Sequence, residues 1–269
     1  MIPNPPKILT DSYYARLDEL EQRHWWCRSV RRVALSWSGG LDRNAAILDA
    51  GCGTGGFLSA MAKRGFRGRA VGLDVAAEAL ARARRDHGLA LLARGSASEL
   101  PIAPESLDLV ILHDVLQHLP AGDDGRALAE AHRALRPGGM LLVRTNVGSP
   151  IGGSDALHRR YAASGLADLV RCAGFRVERH RLLHPAMALL GRLRSRRAGG
   201  HSTGETGLSA AIPPAPINFA LEAASRVSDA LVSGLPFRMP VGDVQVLRGR
   251  KPGPPRVAPG ASSRKVTSS

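Results

Sequence analysis

Aromatic residues make up only 4% of this 269-residue sequence, and two of its three tryptophans adjoin as Trp25 and Trp26. A core built from it must rest on aliphatic side chains. Its three cysteines, Cys27, Cys52 and Cys172, have neither C-x-x-C spacing nor a metal-ligand pattern. That argues against a disulfide framework and a zinc site, and it predicts a reducing, cytoplasmic setting with no metal. No apolar run reaches the roughly 18 residues of a membrane span. The opening "MIPNPPKILTDSYY" lacks the apolar stretch of a secretory leader. Uninterrupted blocks of like charge are also missing, although 37 Lys+Arg outweigh 23 Asp+Glu for a net charge of +14. Such a balance suits nucleic acid, an anionic membrane surface, or simply a solvated, arginine-rich exterior. The densest basic groups, Arg176–Arg181 and Arg192–Arg197, are not interleaved with aromatics, which disfavours nucleic acid.

What is present is an alternation of strand and helix patterns. After a loose arm, residues 12–37 carry one helical pattern, with Asp11 or Ser12 as its N-cap and Gly39-Gly40 as its stop. Strands follow in "AAILDA", "RAVGLDV", "LALLARG", "LDLVILH", "MLLVRTN" and "RVERHRLL". Helical stretches separate most of them, among them "DGRALAEAHRALRPGG", taken as helical up to its Pro-Gly-Gly stop. Such alternation predicts an α/β protein with a doubly wound, Rossmann-like sheet covered on both faces. Beyond residue 184, "AMALLGRLRSRR" suits a short basic helix and "INFALEAASRVSDALVSG" a longer one. "VGDVQVLRGR" suits a last strand, and the Pro/Gly/Ser-rich stretch from Lys251 onward suits a disordered tail. The expected divisions are 1–40, arm and lid helix; 41–184, core; 185–250, insertion and final strand; and 251–269, tail.

The chemistry concentrates at "NAAILDAGCGTGGFL", residues 44–58. A strand runs there into four glycines and then a helix, which leaves a ligand crevice at the carboxyl end of the sheet. Gly51, Gly53 and Gly56 spell G-x-G-x-x-G, a pattern that alone also fits a nicotinamide dinucleotide. Asp49 argues against that reading, because a carboxylate two residues before the turn repels a pyrophosphate. It welcomes a cation such as the ammonium of S-adenosylmethionine. Asp74 closes the second strand in "VGLDV", where its carboxylate can accept ribose hydroxyls of either cofactor.

"ILDAGCGTG", "GLD", "GSASELP", "LDLVILHDVLQHL" and "LRPGGMLLV" resemble, in order, the motifs of class I S-adenosylmethionine-dependent methyltransferases. The resemblance covers roughly residues 44–180. It implies seven strands, the last antiparallel and inserted beside the fifth, and S-adenosylmethionine as cofactor. Carried over by position, Asp49, Gly51, Cys52, Gly53 and Gly55 form the cofactor loop. Asp74 and Val75 lie at the ribose, Ser96 and Ala97 at the adenine, and His113 near the methyl-bearing end. Relatives usually have an acidic residue where Ser96 stands. "ELEQRHWWCRSVRRVAL" further resembles the opening of a bacterial "HWWFRxRR" group linked to glycan and secondary-metabolite pathways, with Cys27 at the usual phenylalanine.

Methyl transfer needs a dry, oriented pocket, and a base only where the acceptor must lose a proton. His113, Asp114 and His118 are the candidate catalytic residues; Asp114 and His118, four apart, are expected to share a helix face. Trp26, His158, Arg159 and Tyr161 are the candidate acceptor pocket, and Arg28, Arg31 and Arg32 either grip an acidic acceptor or are solvated. One of the adjacent tryptophans is expected to anchor the helix while the other lids the site. "NPPK" at residues 4–7 is misplaced for an amino-directed motif. The expected function is an O- or C-directed methyltransferase of a small-molecule or glycan-linked intermediate. An RNA methyltransferase, whose binding would be steeply salt-dependent, and a non-catalytic cofactor-binding partner are the alternatives.

Overall fold

The structure is a computed structural model that describes residues 10–148, 159–186, 188–189, 211–234 and 241–253. Seven strands form one sheet: β1 (Ala46–Ala50), β2 (Arg69–Asp74), β3 (Leu92–Arg94), β4 (Leu107–His113), β5 (Leu135–Asn146), β6 (Arg176–Leu183) and β7 (Val244–Arg250). Their spatial order is β3-β2-β1-β4-β5-β7-β6. β1 to β5 pair in parallel, and β7 enters antiparallel between β5 and β6. The order reverses at β1 and β4, which opens the crevice of a doubly wound sheet at their carboxyl ends.

Strand alternation sorts the core into two layers. Leu48, Ala50, Val110, Leu112, Leu141 and Val143 face α5 (Asp123–Ala134) and α6 (Ala163–Cys172). Ile47, Leu109, Ile111, Met140 and Leu142 face α2 (Trp25–Trp37) and α3 (Gly56–Lys63). A further helix, α4 (Ala77–His87), packs on β2 and β3.

Two expectations about elements need correction. The single helix at residues 12–37 is two, α1 (Asp11–Arg23) and α2, and Thr10 caps the first. His24 is extended between them, with φ −77° and ψ 127°; its N–H bonds to Leu20 O and its ring accepts from Trp26 N. Thus one residue closes one helix and caps the next. The helix expected through "LRPGG" ends at Ala134, because Leu135 already pairs with Leu107 and opens β5.

The stretch before β7 contains α7 (Ala215–Gly234), packed on α2. Arg28 and Arg32 hold it rather than gripping a ligand: Arg28 pairs with Glu222 at 3.1 Å, and Arg32 with Asp229 at 2.9 Å. The expected basic helix at residues 186–197 lies almost wholly outside the described residues. Lys251 is docked rather than loose. It is buried, and its ammonium donates to Leu135 O and meets Glu105. Residues 254–269 lie outside the described set.

Candidate active site

The glycine turn leaves β1 in a conformation that favours glycine. Gly51, Gly53 and Gly55 have φ of +88°, +52° and +82°, and a β-carbon on Gly51 would strike Val115. Asp74 fixes this turn from the neighbouring strand. Its carboxylate accepts from Gly53 N at 2.8 Å and from Ala76 N at 2.9 Å. Asp74 therefore caps two loops, and the remaining lone pairs of each oxygen stay available to hydroxyls. Val75 receives Arg94 Nε through its carbonyl, and Ser96 shares its hydroxyl with Ser98 at 2.8 Å. Cys52 and Ala97 are buried.

Asp49 is 2% exposed, and its Oδ1 has no hydrogen-bond partner. Burial, then the nearby Glu21 and Asp74, push its carboxyl up to about 8. Thr54 Oγ1, His113 Nε2, Asp114 Oδ1 and Arg144 Nε are likewise buried without partners. Three of these residues have one origin. Asp49, His113 and Arg144 stand at or near the carboxyl ends of the adjacent strands β1, β4 and β5. Each extends the row that faces α2 and α3. His113 packs edge-on against Phe57, ring centroids 4.6 Å apart, and burial followed by Arg144 holds its imidazole well below the usual range. It is neutral at neutral pH, and both influences disfavour its protonated form.

The helix α1 lies across this crevice. Tyr14 packs on Ala76 and Ala79, Leu17 approaches Gly53, and Glu21 lies against Gly56 beside Arg31. Burial raises the Glu21 carboxyl, opposed by Arg144 and Arg31. Glu21 and Arg144 were not among the expected cofactor, catalytic or acceptor residues, and Arg31, expected to grip an acceptor or be solvated, lies beside Glu21 at Gly56. Arg144 was findable, because "MLLVRTN" continues an alternating row into a charge. Glu21 was not, since only the turn at His24 sends α1 back over the glycines.

Asp114 and His118 do not share a helix face. Asp114 has φ +55° and ion-pairs with Arg144, and only Leu116–His118 forms a single 3-10 turn. His118 meets the Gln117 amide. Arg159 donates to the carbonyls of Leu116, Leu119 and Pro120 and pairs with Asp124. Tyr161 donates to Leu116 O or Asp124. These two residues brace the segment after β4. His158 lies outside the described residues. Trp25 is buried, while the indole N–H of Trp26 donates to Asp243 at 2.9 Å, at the start of β7 and so on the carboxyl edge of the sheet. His184 joins Asp243 to Ser29 there. Among the described residues no cluster of His, Cys, Asp and Glu is placed to hold a metal ion.

The buried, unpartnered Asp49 oxygen suits a cationic group, and the Asp74 carboxylate has lone pairs for hydroxyls. Residues 48–143 match a family model described as a methyltransferase domain. A Mycolicibacterium smegmatis protein described as an S-adenosylmethionine-dependent methyltransferase is 33% identical over 167 residues, 59% of this chain and 62% of its own length. The demethylmenaquinone methyltransferase of Lactiplantibacillus plantarum is 34% identical over 127 residues, 45% of this chain and 50% of that protein. The chain thus spans 62% and 50% of the length of these relatives. Among solved structures, Haemonchus contortus phosphoethanolamine N-methyltransferase 2 with S-adenosyl-L-methionine superposes with a TM-score of 0.61 at 18% identity, covering 91% of this chain and 58% of its own. A 4+2 cyclase, SpnF, gives 0.61 at 21% identity, covering 94% and 99%. Residues 48–143 are therefore similar in sequence to a methyltransferase domain, and the seven-stranded sheet that contains them has the fold of solved methyltransferases.

Proposed function

We propose that the chain is an S-adenosylmethionine-dependent methyltransferase acting on a small-molecule acceptor. The observation that carries this reading is the buried, unpartnered Asp49 oxygen directly ahead of the glycine turn. A carboxylate there is costly unless a cation meets it, and the cofactor's α-ammonium is such a cation. Gly51, Cys52, Gly53 and Gly55 would offer backbone to the cofactor. Asp74 and Val75 would take the ribose side, and Ser96 and Ala97 the adenine side. When bound, the cofactor supplies an electrophilic methyl group on a sulfonium. The chain's own part is to orient, to exclude water under α1, and to receive a proton where the acceptor gives one up.

His113 is the candidate for that proton on position, being unpartnered at Nε2 on the strand end, and an acceptor must offset the burial and the Arg144 charge that weaken it as a base. Asp114 is held by Arg144, so its part is to position that arginine. The acceptor is assigned to the carboxyl edge beside Trp26, Asp114 and Arg144. The relatives named for demethylmenaquinone, malonyl-acyl-carrier-protein and trans-aconitate support a small or carrier-linked acceptor. An O- or C-directed reaction and a glycan-linked acceptor within the HWW group remain part of this proposal. The fold is shared with a 4+2 cyclase, so it does not by itself require methyl transfer; the second reading is a cofactor-binding protein without it.

Calorimetry with S-adenosylmethionine and with NAD tests the site. Asp49→Ala and Asp74→Ala are each expected to weaken S-adenosylmethionine at least about tenfold, ~1.4 kcal/mol. Wild-type affinity in both variants, or preference for NAD, overturns the assignment. Incubating cell extract with deuteromethyl-labelled cofactor then tests turnover: a labelled product supports transfer, and tight cofactor binding without any product supports the second reading.

A further inference from the structure

Helix α7 is built inside out. Its polar residues point inward: Glu222, Ser225 and Asp229 are buried and tied to Arg28, Arg32 and Ser29 of α2. Its large apolar residues point outward. Ile217, Phe219, Val227 and Leu231 are 53%, 75%, 63% and 65% exposed, and among the described residues only one other large apolar side chain, Leu189, is as open. Exposed alanines fill the space between them. An ordinary surface helix faces its apolar stripe to the core, and a contiguous apolar face left outside marks a docking surface.

The geometry points to an anionic lipid surface as the occupant of this face. Charge selects it. The chain carries +14, and both acids of α7 are buried in pairs with α2. Three arginines border the helix on its exposed sides: Arg226 and Arg28, which share the buried Glu222, and Arg23, which pairs with Glu19 and whose carbonyl Asn218 binds near the first turn. An apolar stripe rimmed by arginine lies in the interface of a bilayer with acidic headgroups. It does not cross one, and among the described residues no helix is long and apolar enough to span a membrane. A second copy would bring the same basic rim against itself. The inference is independent of the cofactor reading, because lipid binding is measured without turnover.

The test is flotation of the full chain with vesicles rich in phosphatidylglycerol, against pure phosphatidylcholine vesicles. Binding to the anionic vesicles, weakening as salt rises, is expected. The double variant Phe219→Ser, Leu231→Ser should lose about tenfold or more of the bound fraction while keeping the wild-type melting temperature, since both side chains are solvent-exposed. Arg226→Gln should weaken binding to anionic vesicles only. Absence of binding to anionic vesicles overturns the proposal, as does equal binding by the double variant. A wild-type dimer in light scattering that the double variant abolishes, without vesicle binding, assigns the face to a second copy instead.

Discussion

A buried carboxylate whose folded pKa lies near 8, against 3.8 unperturbed, has two consequences. Between those values the folded chain binds more protons at Asp49 than the unfolded chain does. Its contribution to stability is therefore full below about pH 4 and falls as pH rises toward 8. Asp49→Asn should flatten that slope in the ligand-free protein, seen as a melting temperature that varies less between pH 5 and pH 8. A cation that pairs with Asp49 reverses the protonation. Cofactor binding near pH 6.5 should release about one proton, measured by calorimetry in buffers of different ionisation enthalpy; a buffer-independent heat would contradict the pairing. Glu21 is the second residue to probe. It sits at the N-terminus of α3, where an anionic ligand group would be favoured, and it raises the Asp49 carboxyl. Glu21→Gln should tighten cofactor binding several-fold, on the order of 1 kcal/mol, and shift proton release to lower pH. At this scale Asp49, Asp74 and the glycines could be picked out of the sequence as a candidate site because local chain geometry dictates their placement. Arg144 and Glu21 were not assigned, because their meaning depends on which strands and helices become neighbours.

At the scale of elements, the strands were read well, since each is a short apolar run between turn signals. The two misread helices have different causes, a local cap for one and a tertiary partner for the other, each acting where sequence periodicity continued. His24 breaks a helical pattern because Trp26 N uses its ring as a cap, and Leu135 leaves α5 because Leu107 pairs with it. His24→Ala should cost about 1 kcal/mol through the lost cap, measured by urea denaturation. The clamp of α7 is also testable. Asp229 accepts from both Ser29 and Arg32, so Asp229→Ala leaves a partly buried arginine with less compensation. It should destabilise by up to about 3 kcal/mol, and limited proteolysis should then cut first at the ends of α7. The inversion of this helix escaped the sequence reading because helical periodicity names the faces of a helix without saying which one turns inward.

At the scale of the molecule, the alternation of strands and helices prefigured the doubly wound sheet, and the resemblance supplied its antiparallel β7. The tail expected from residue 251 opens on a docked residue. Lys251 N pairs with Gly139 O, and Gly138 N with Lys251 O, extending the sheet past the final strand. Truncation after Gly253 should therefore leave the melting temperature unchanged, whereas truncation after Arg250 should lower it by a few degrees, for a loss of about 1 kcal/mol.

The Asn218 amide bonds to Arg23 O on one side of the α1–α2 break and to Trp25 N on the other. A swing of the first helix away from the glycines would strain this pin, so the crevice and the outward helix are mechanically joined at one side chain. By thermodynamic reciprocity, whatever seats the outward helix would then also bias how readily the crevice opens, and filling the crevice would bias the seating in return.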